Sequence, residues 1–236
     1  MLENKQIKIF SDGADIESIK ACLSNDFVKG FTTNPSLIAK AGVKNYKKFC
    51  LEVTDLVAPL PVSFEVFADD FDKMISQGKE ISTWGENVYV KIPVSNTKGV
   101  FSGPVIKELV GCGIKLNVTA VFTLEQVEAV MDNLNNDVPA VISVFAGRIA
   151  DTGTDPAPLM RKCKKLMTDN PNWELLWASP RELLNIFQAA EAGVDIITVP
   201  PDLLGKTELI GKDHEVFSLE TVKMFFEDAK ASRFSI

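Results

Sequence analysis

Apolar residues in this chain come in short runs, separated by amphipathic stretches, and the alternation repeats from one end to the other. The runs cover residues 7–12, 28–34, 61–67, 88–94, 115–122, 140–148, 173–179 and 195–200. Each is short and rich in β-branched and aromatic residues, the pattern of a strand buried on both faces. Helical periodicity and capping residues predict helices over 15–23, 45–57, 69–83, 102–111, 123–133, 156–168 and 180–190. Gly30, Gly113, Gly147 and Gly193 read as punctuation at element boundaries. Eight βα units with no break in composition and no linker predict a single-domain (β/α)8 TIM barrel over residues 1–236. A last amphipathic helix, about 219–231, carries Val222, Phe225, Phe226 and Ala229 on one stripe. It either packs over the barrel or docks on a neighbouring subunit.

One strand breaks its own pattern. Residues 88–95 read Val-Tyr-Val-Lys-Ile-Pro-Val-Ser, which places Lys91 in the middle of a buried run. An ammonium buried without partners costs several kcal/mol, so such a lysine tends to shed its proton. The neutral amine is then a nucleophile toward carbonyl carbon. The alternative is a lysine paired with a carboxylate, or one that snorkels out at the strand end. This strand alone does not choose between them.

Composition narrows the chemistry. The net charge is −7 and no basic run is longer than a few residues, which argues against a nucleic-acid surface. No apolar run approaches the roughly 18 residues of a membrane span, and residues 1–12 carry no leader pattern, so a cytoplasmic location is expected. Cys22, Cys50, Cys112 and Cys163 are far apart and read as reduced core thiols. The one histidine, His214, sits in the polar stretch Gly-Lys-Asp-His-Glu and reads as a surface residue. No metal site is expected from such a set. Acid–base work therefore falls to Lys, Asp, Glu, Ser and Thr.

Barrel enzymes build their sites at the C-terminal ends of the strands. Asp12 and Asn34 close the first two predicted strands; Glu65 and Lys91 lie in the third and fourth. Asn117 and Thr119 share a face of the fifth, and Ser143 and Phe145 a face of the sixth, with Arg148 just beyond. Ser179 closes the seventh and Arg181 follows. Any one of these residues is ordinarily a satisfied core polar group or a helix cap. Their convergence at one rim favours a catalytic Lys91.

At these residues the chain resembles the transaldolases and the related fructose 6-phosphate aldolases, class I Schiff-base enzymes on an α/β barrel. The matching stretches are Ile-Phe-Ser-Asp-Gly-Ala-Asp (9–15), Gly-Phe-Thr-Thr-Asn-Pro-Ser (30–36), Val-Ser-Phe-Glu-Val (62–66) and Val-Lys-Ile-Pro (90–93). Asn-Val-Thr-Ala-Val-Phe (117–122), Ser-Val-Phe-Ala-Gly-Arg-Ile (143–149) and Ala-Ser-Pro-Arg (178–181) continue it over nearly the whole chain, in a short form without the insertions of longer transaldolases.

The resemblance implies that Lys91 forms an imine with the C2 ketone of a sugar phosphate and that Asp12 takes the C4 hydroxyl proton as the C3–C4 bond breaks. It implies that Glu65 and Thr119 hold a proton-shuttling water. Thr33, Asn34, Asn117, Ser143 and Phe145 would contact substrate, and Arg148, Ser179 and Arg181 would bind its phosphate. No cofactor is implied, and the expected assembly is a homo-oligomer, a ring-shaped decamer being one form, in which subunits exchange their C-terminal helices. Elementary chemistry agrees in outline: retro-aldol cleavage needs an electron sink and a base, and with no suitable histidine the base is Asp12 or Glu65.

The aldolase subgroup commonly has glutamine at the Glu65 position and tyrosine at the Phe145 position. Glu65 and Phe145 match the transaldolase pattern, which favours transfer of a dihydroxyacetone unit to an aldose phosphate over its release. One departure lies in Ser179-Pro180-Arg181-Glu182, where Glu182 brings a negative charge toward the anion site. It leaves room for a donor with a sulfonate in place of phosphate. A non-catalytic sugar-phosphate-binding barrel is the remaining alternative, and the intact set of Lys91, Asp12 and Glu65 speaks against it.

Overall fold

Each apolar run forms a strand in the computed structural model, which describes residues 7–232, with one or two residues trimmed at its ends and four at the end of the run 140–148. The strands are β1 (Lys8–Asp12), β2 (Val28–Thr32), β3 (Val62–Glu65), β4 (Val88–Pro93), β5 (Leu116–Val121), β6 (Ala140–Val144), β7 (Trp173–Trp177) and β8 (Ile196–Val199). All pair in parallel, in chain order, and β8 returns to β1 to close the barrel. Residues 1–6, part of the stretch read as carrying no leader, lie outside the described residues.

Alternation along β4 shows how the barrel is filled. Val90 and Ile92 are wholly buried beneath the helices, and each such side chain contributes about 1.5–3 kcal/mol. Tyr89 points the other way, into an interior cluster with Phe10, Val141, Leu176 and Ile196. That cluster is the floor on which the polar mouth rests. Gly30 belongs to it: a Cβ there would lie 2.6 Å from the Phe10 ring, so Gly30 sits inside β2 to admit that ring and marks no boundary. Gly113 and Gly193, at φ 75° and 77°, do end helices as expected.

The helices are α1 (Ile16–Leu23), α2 (Pro35–Lys40), α3 (Tyr46–Val57), α4 (Phe71–Ser82), α5 (Gly103–Gly111), α6 (Leu124–Met131), α7 (Ala146–Ala150), α8 (Ala157–Leu166), α9 (Leu184–Glu191), α10 (Pro201–Leu204) and α11 (His214–Ala231). Three differences from the sequence-based expectation bear on the site. The second strand stops at Thr32 because Asn34 caps α2, its side chain accepting from Leu37 N–H at 2.9 Å. The sixth stops at Val144 because Phe145 turns the chain into α7. Helix α9 starts at Leu184 rather than Pro180, since Asn185 Oδ1 accepts from the N–H groups of Arg181 and Glu182 and holds them in a turn.

Helix α11 starts before its expected position, and no residue along it is buried; Val222, Phe225 and Phe226 are 60–65% exposed. It therefore does not pack over its own barrel. Cys112 is exposed, unlike the other three thiols, because it lies at the end of α5. No helix of the described residues is long and apolar enough to cross a membrane.

Candidate active site

Register sets the site. Glu65 lies beside Lys91 across β3–β4, and Lys91 beside Asn117 across β4–β5, so three polar residues stand at one level of the barrel. They open into a cavity of about 370 Å³ at the C-terminal ends of the strands. Its walls include Asp12, Asn34, Glu65, Lys91, Asn117 and Thr119, with Ser143, Phe145, Arg148 and Ser179 completing it on the later strands.

Lys91 is 7% exposed and has two partners: Glu65 Oε2 at 3.2 Å, and the Thr33 carbonyl, to which its Nζ donates at 2.9 Å. The lysine is thus buried and paired. A proton on this amine has a carboxylate within direct transfer distance, so pairing and nucleophilic use are compatible. Asp12 lies at the end of β1. Burial pushes its carboxyl above the ordinary carboxylate range, against the opposing pull of the Lys91 charge and of a 3.0 Å hydrogen bond from Thr32 Oγ1. Thr32 is itself joined to Thr198 at 2.5 Å, which ties the Asp12 corner to β8.

Asn117 is fixed from both sides, donating to Ser63 Oγ at 3.0 Å and accepting from Ser143 Oγ at 2.7 Å. Thr119 differs: its hydroxyl is buried in the cavity wall with no hydrogen-bond partner among the described residues. The β5–β6 register shifts between Val118 and Val121, where Ala120 adopts φ 59°. A buried orphan hydroxyl beside a lysine–carboxylate pair is a place for a water or a substrate oxygen.

The opposite rim is built from two segments in close contact. Gly147 N–H donates to the Ala178 carbonyl at 3.2 Å, and a Cβ on Gly147 would lie 1.5 Å from the Ser179 carbonyl oxygen. Ser179 takes φ 62° there. This contact brings Arg148 and Ser179 to one side of the cavity. The Arg148 guanidinium lies 5.1 Å from the Phe145 ring centre and makes no hydrogen bond to a carboxylate among the described residues, though its charge reaches Asp151.

Two candidates stand elsewhere. Arg181 is exposed, does not line the cavity, and makes a fork with Asp151: Nε is 2.9 Å from Oδ1, and the terminal nitrogen 2.5 Å from Oδ2. That pair holds the Asp151 carboxyl below its usual range. Thr33 is fully buried with its hydroxyl on the Ser63 carbonyl; what it offers the site is its own backbone carbonyl. Sequence reasoning passed over Thr32, Ser36, Ser63 and Thr198. Thr32 and Ser36 stand within the Thr-Thr-Asn-Pro-Ser run and Ser63 within Val-Ser-Phe-Glu-Val, whereas Thr198 carries no local signal and is found only through its partner Thr32. Among the described residues no cluster of His, Cys, Asp and Glu could hold a metal ion.

Among solved structures the fold is similar to 2,3-dimethylmalate lyase (TM-score 0.57, 13% identity, 99% of this chain and 86% of that one). It is also similar to mandelate oxidase (TM-score 0.57, 10% identity, 83% and 65%). At such identities the likeness concerns the barrel alone. Among curated sequences, a "Probable transaldolase" of Carboxydothermus hydrogenoformans is 37% identical over 82% of this chain and 86% of its own. One of Herpetosiphon aurantiacus is 34% identical over 91% and 94%. The family model for transaldolase/fructose-6-phosphate aldolase matches residues 9–236. The chain belongs to the transaldolase/fructose-6-phosphate aldolase family.

Proposed function

We propose that this protein is a transaldolase that moves a dihydroxyacetone unit from a ketose phosphate, fructose 6-phosphate or sedoheptulose 7-phosphate, to an aldose phosphate through an imine on Lys91. The observation that carries the reading is the buried Lys91–Glu65 pair, 3.2 Å apart, at the foot of a polar cavity with Asp12 in its wall. Glu65 takes the proton that Lys91 loses as its nitrogen adds to the C2 carbonyl. A water between Glu65 and the unpartnered Thr119 hydroxyl carries protons while the carbinolamine loses water. The protonated imine then accepts the electron pair of the C3–C4 bond as Asp12 removes the C4 hydroxyl proton. Asn117 and Ser143, already oriented, hydrogen-bond the three-carbon unit. Arg148 and Ser179 hold the phosphate at the rim.

Phe145 supports transfer over release. Its ring lies under Arg148 and 5.7 Å from Phe122, an apolar wall with no hydroxyl to activate water against the imine. A second reading, a donor with a sulfonate head, draws on Arg181: while Asp151 holds it, Arg148 is the guanidinium lining the cavity, enough for a singly charged anion. We also assign the protein to the cytoplasm, and to a homo-oligomer, a ring-shaped decamer being one form, in which α11 packs on a neighbouring copy. Support for the assembly lies in the apolar stripe of α11, which its own barrel leaves uncovered.

Steady-state assays with fructose 6-phosphate, with and without erythrose 4-phosphate, test the transfer. Turnover is expected to depend on the acceptor. Equal release of free dihydroxyacetone without it would make the enzyme an aldolase, and preference for a sulfonated ketose would favour the second reading.

A further inference from the structure

The second partner of Lys91 exists because a strand pairing is interrupted. Along β2 and β3, Phe31 N–H donates to the Pro61 carbonyl at 2.8 Å and Thr33 N–H to the Ser63 carbonyl at 3.2 Å. Continued by one step, the parallel ladder would send Glu65 N–H to the Thr33 carbonyl. The chain instead turns into α2 at Asn34, and Tyr46, the first residue of α3, fills the gap. Its hydroxyl accepts from Glu65 N–H at 3.1 Å and donates to the Glu65 carbonyl at 2.9 Å. One phenol thus satisfies both backbone groups of the residue whose carboxylate faces Lys91. The Thr33 carbonyl, left without Glu65, accepts the Lys91 amine at 2.9 Å.

The ring that carries this hydroxyl is held firmly. Tyr46 meets Phe67 edge-on at 4.6 Å and Trp84 at 5.9 Å. Burial pushes its phenol far up, so it stays protonated and keeps its donor at every working pH. Packing alone needs the ring and not the oxygen.

We propose that Tyr46 is a positioning residue for the Lys91–Glu65 pair: its hydroxyl stands in for the missing β2 pairing, fixes the Glu65 backbone and keeps the Thr33 carbonyl free for Lys91. It touches no substrate. The kinetic half of this inference rests on the proposed function; the structural half does not.

The test is Tyr46→Phe, which keeps the ring and removes the oxygen. Glu65 N–H is then free to take the Thr33 carbonyl, and Lys91 loses an acceptor for its ammonium. Limited acetylation with acetic anhydride, followed by peptide mass mapping, reads the Lys91 signal against the exposed Lys98. The ratio is expected to rise about threefold or more. In steady-state assays kcat is expected to fall about tenfold, with KM for the donor changed less than about twofold. Placing 4-aminophenylalanine at residue 46, an aromatic amine with a donor and a lone pair at the same reach, should recover much of both. An unchanged acetylation ratio in Tyr46→Phe would overturn the inference, even if the melting temperature falls, because lost packing would not act on Lys91. Should the wild-type enzyme turn over no sugar phosphate, the proposed reaction fails, and the acetylation ratio still decides the role of Tyr46.

Discussion

At Asp12 the cost of burial exceeds the combined help of Lys91 and Thr32, and the carboxyl stays protonated to higher pH than in the unfolded chain. Below the ordinary carboxylate range both states are protonated and the residue costs the fold nothing. As pH rises through the folded-state value, the unfolded chain has already lost its proton more cheaply, and native stability is lost. Asp12→Asn imitates the neutral form. It is expected to melt at a higher temperature than wild type at about pH 7, with the gain gone at about pH 3, as calorimetry at the two values will show. The same variant should lose activity by at least about a hundredfold, because the amide takes no proton. A stability gain coupled to lost turnover is the signature of a residue kept for chemistry. An Asp12→Asn protein that melts lower at neutral pH would mean that the hydrogen bond from Thr32 outweighs burial.

Two elements build the rim proposed to take the phosphate, and their contact is backbone against backbone. Gly147 must lack a side chain for α7 to meet the Ser179 carbonyl. Gly147→Ala should push the segments apart, raising KM for a phosphorylated donor about tenfold or more and changing the rate of a non-phosphorylated ketose much less. Equal effects on both would place the phosphate elsewhere. This part of the site is also where sequence and structure diverge. The apolar run 140–148 continues past the true strand end, since Phe145 and Ala146 are as apolar as the strand itself and nothing local marks the turn. Pro180 reads as a helix start, yet the side chain of Asn185 holds the N–H groups of Arg181 and Glu182 in a turn, a local side-chain-to-backbone choice that helix propensity does not report. Strands β3 to β5 are legible for the opposite reason. Short buried runs place Glu65 and Lys91 inside their strands, and period 2 puts Asn117 and Thr119 on one face; that Glu65, Lys91 and Asn117 stand at one level is a register only the structure supplies. Tyr46 was illegible, as its role appears only once α3 is laid against the end of β3.

For the whole molecule, the closed barrel gives the site its rigid frame, and α11 stands outside that frame. Val222, Phe225 and Phe226 stand 60–65% exposed on a helix that no other element covers among the described residues. Light scattering is expected to find wild-type particles several times the monomer mass, and Phe225→Glu with Phe226→Glu should lower that mass while circular dichroism stays unchanged. A wild-type monomer would contradict the assembly. The central claim concerns Lys91 and is tested most directly by reducing the enzyme with borohydride in the presence of fructose 6-phosphate and mapping the modified peptide. A dihydroxyacetone adduct on Lys91, lost when erythrose 4-phosphate is added before the reductant, is the result expected. An adduct on another lysine, or none on Lys91 while turnover proceeds, would contradict it.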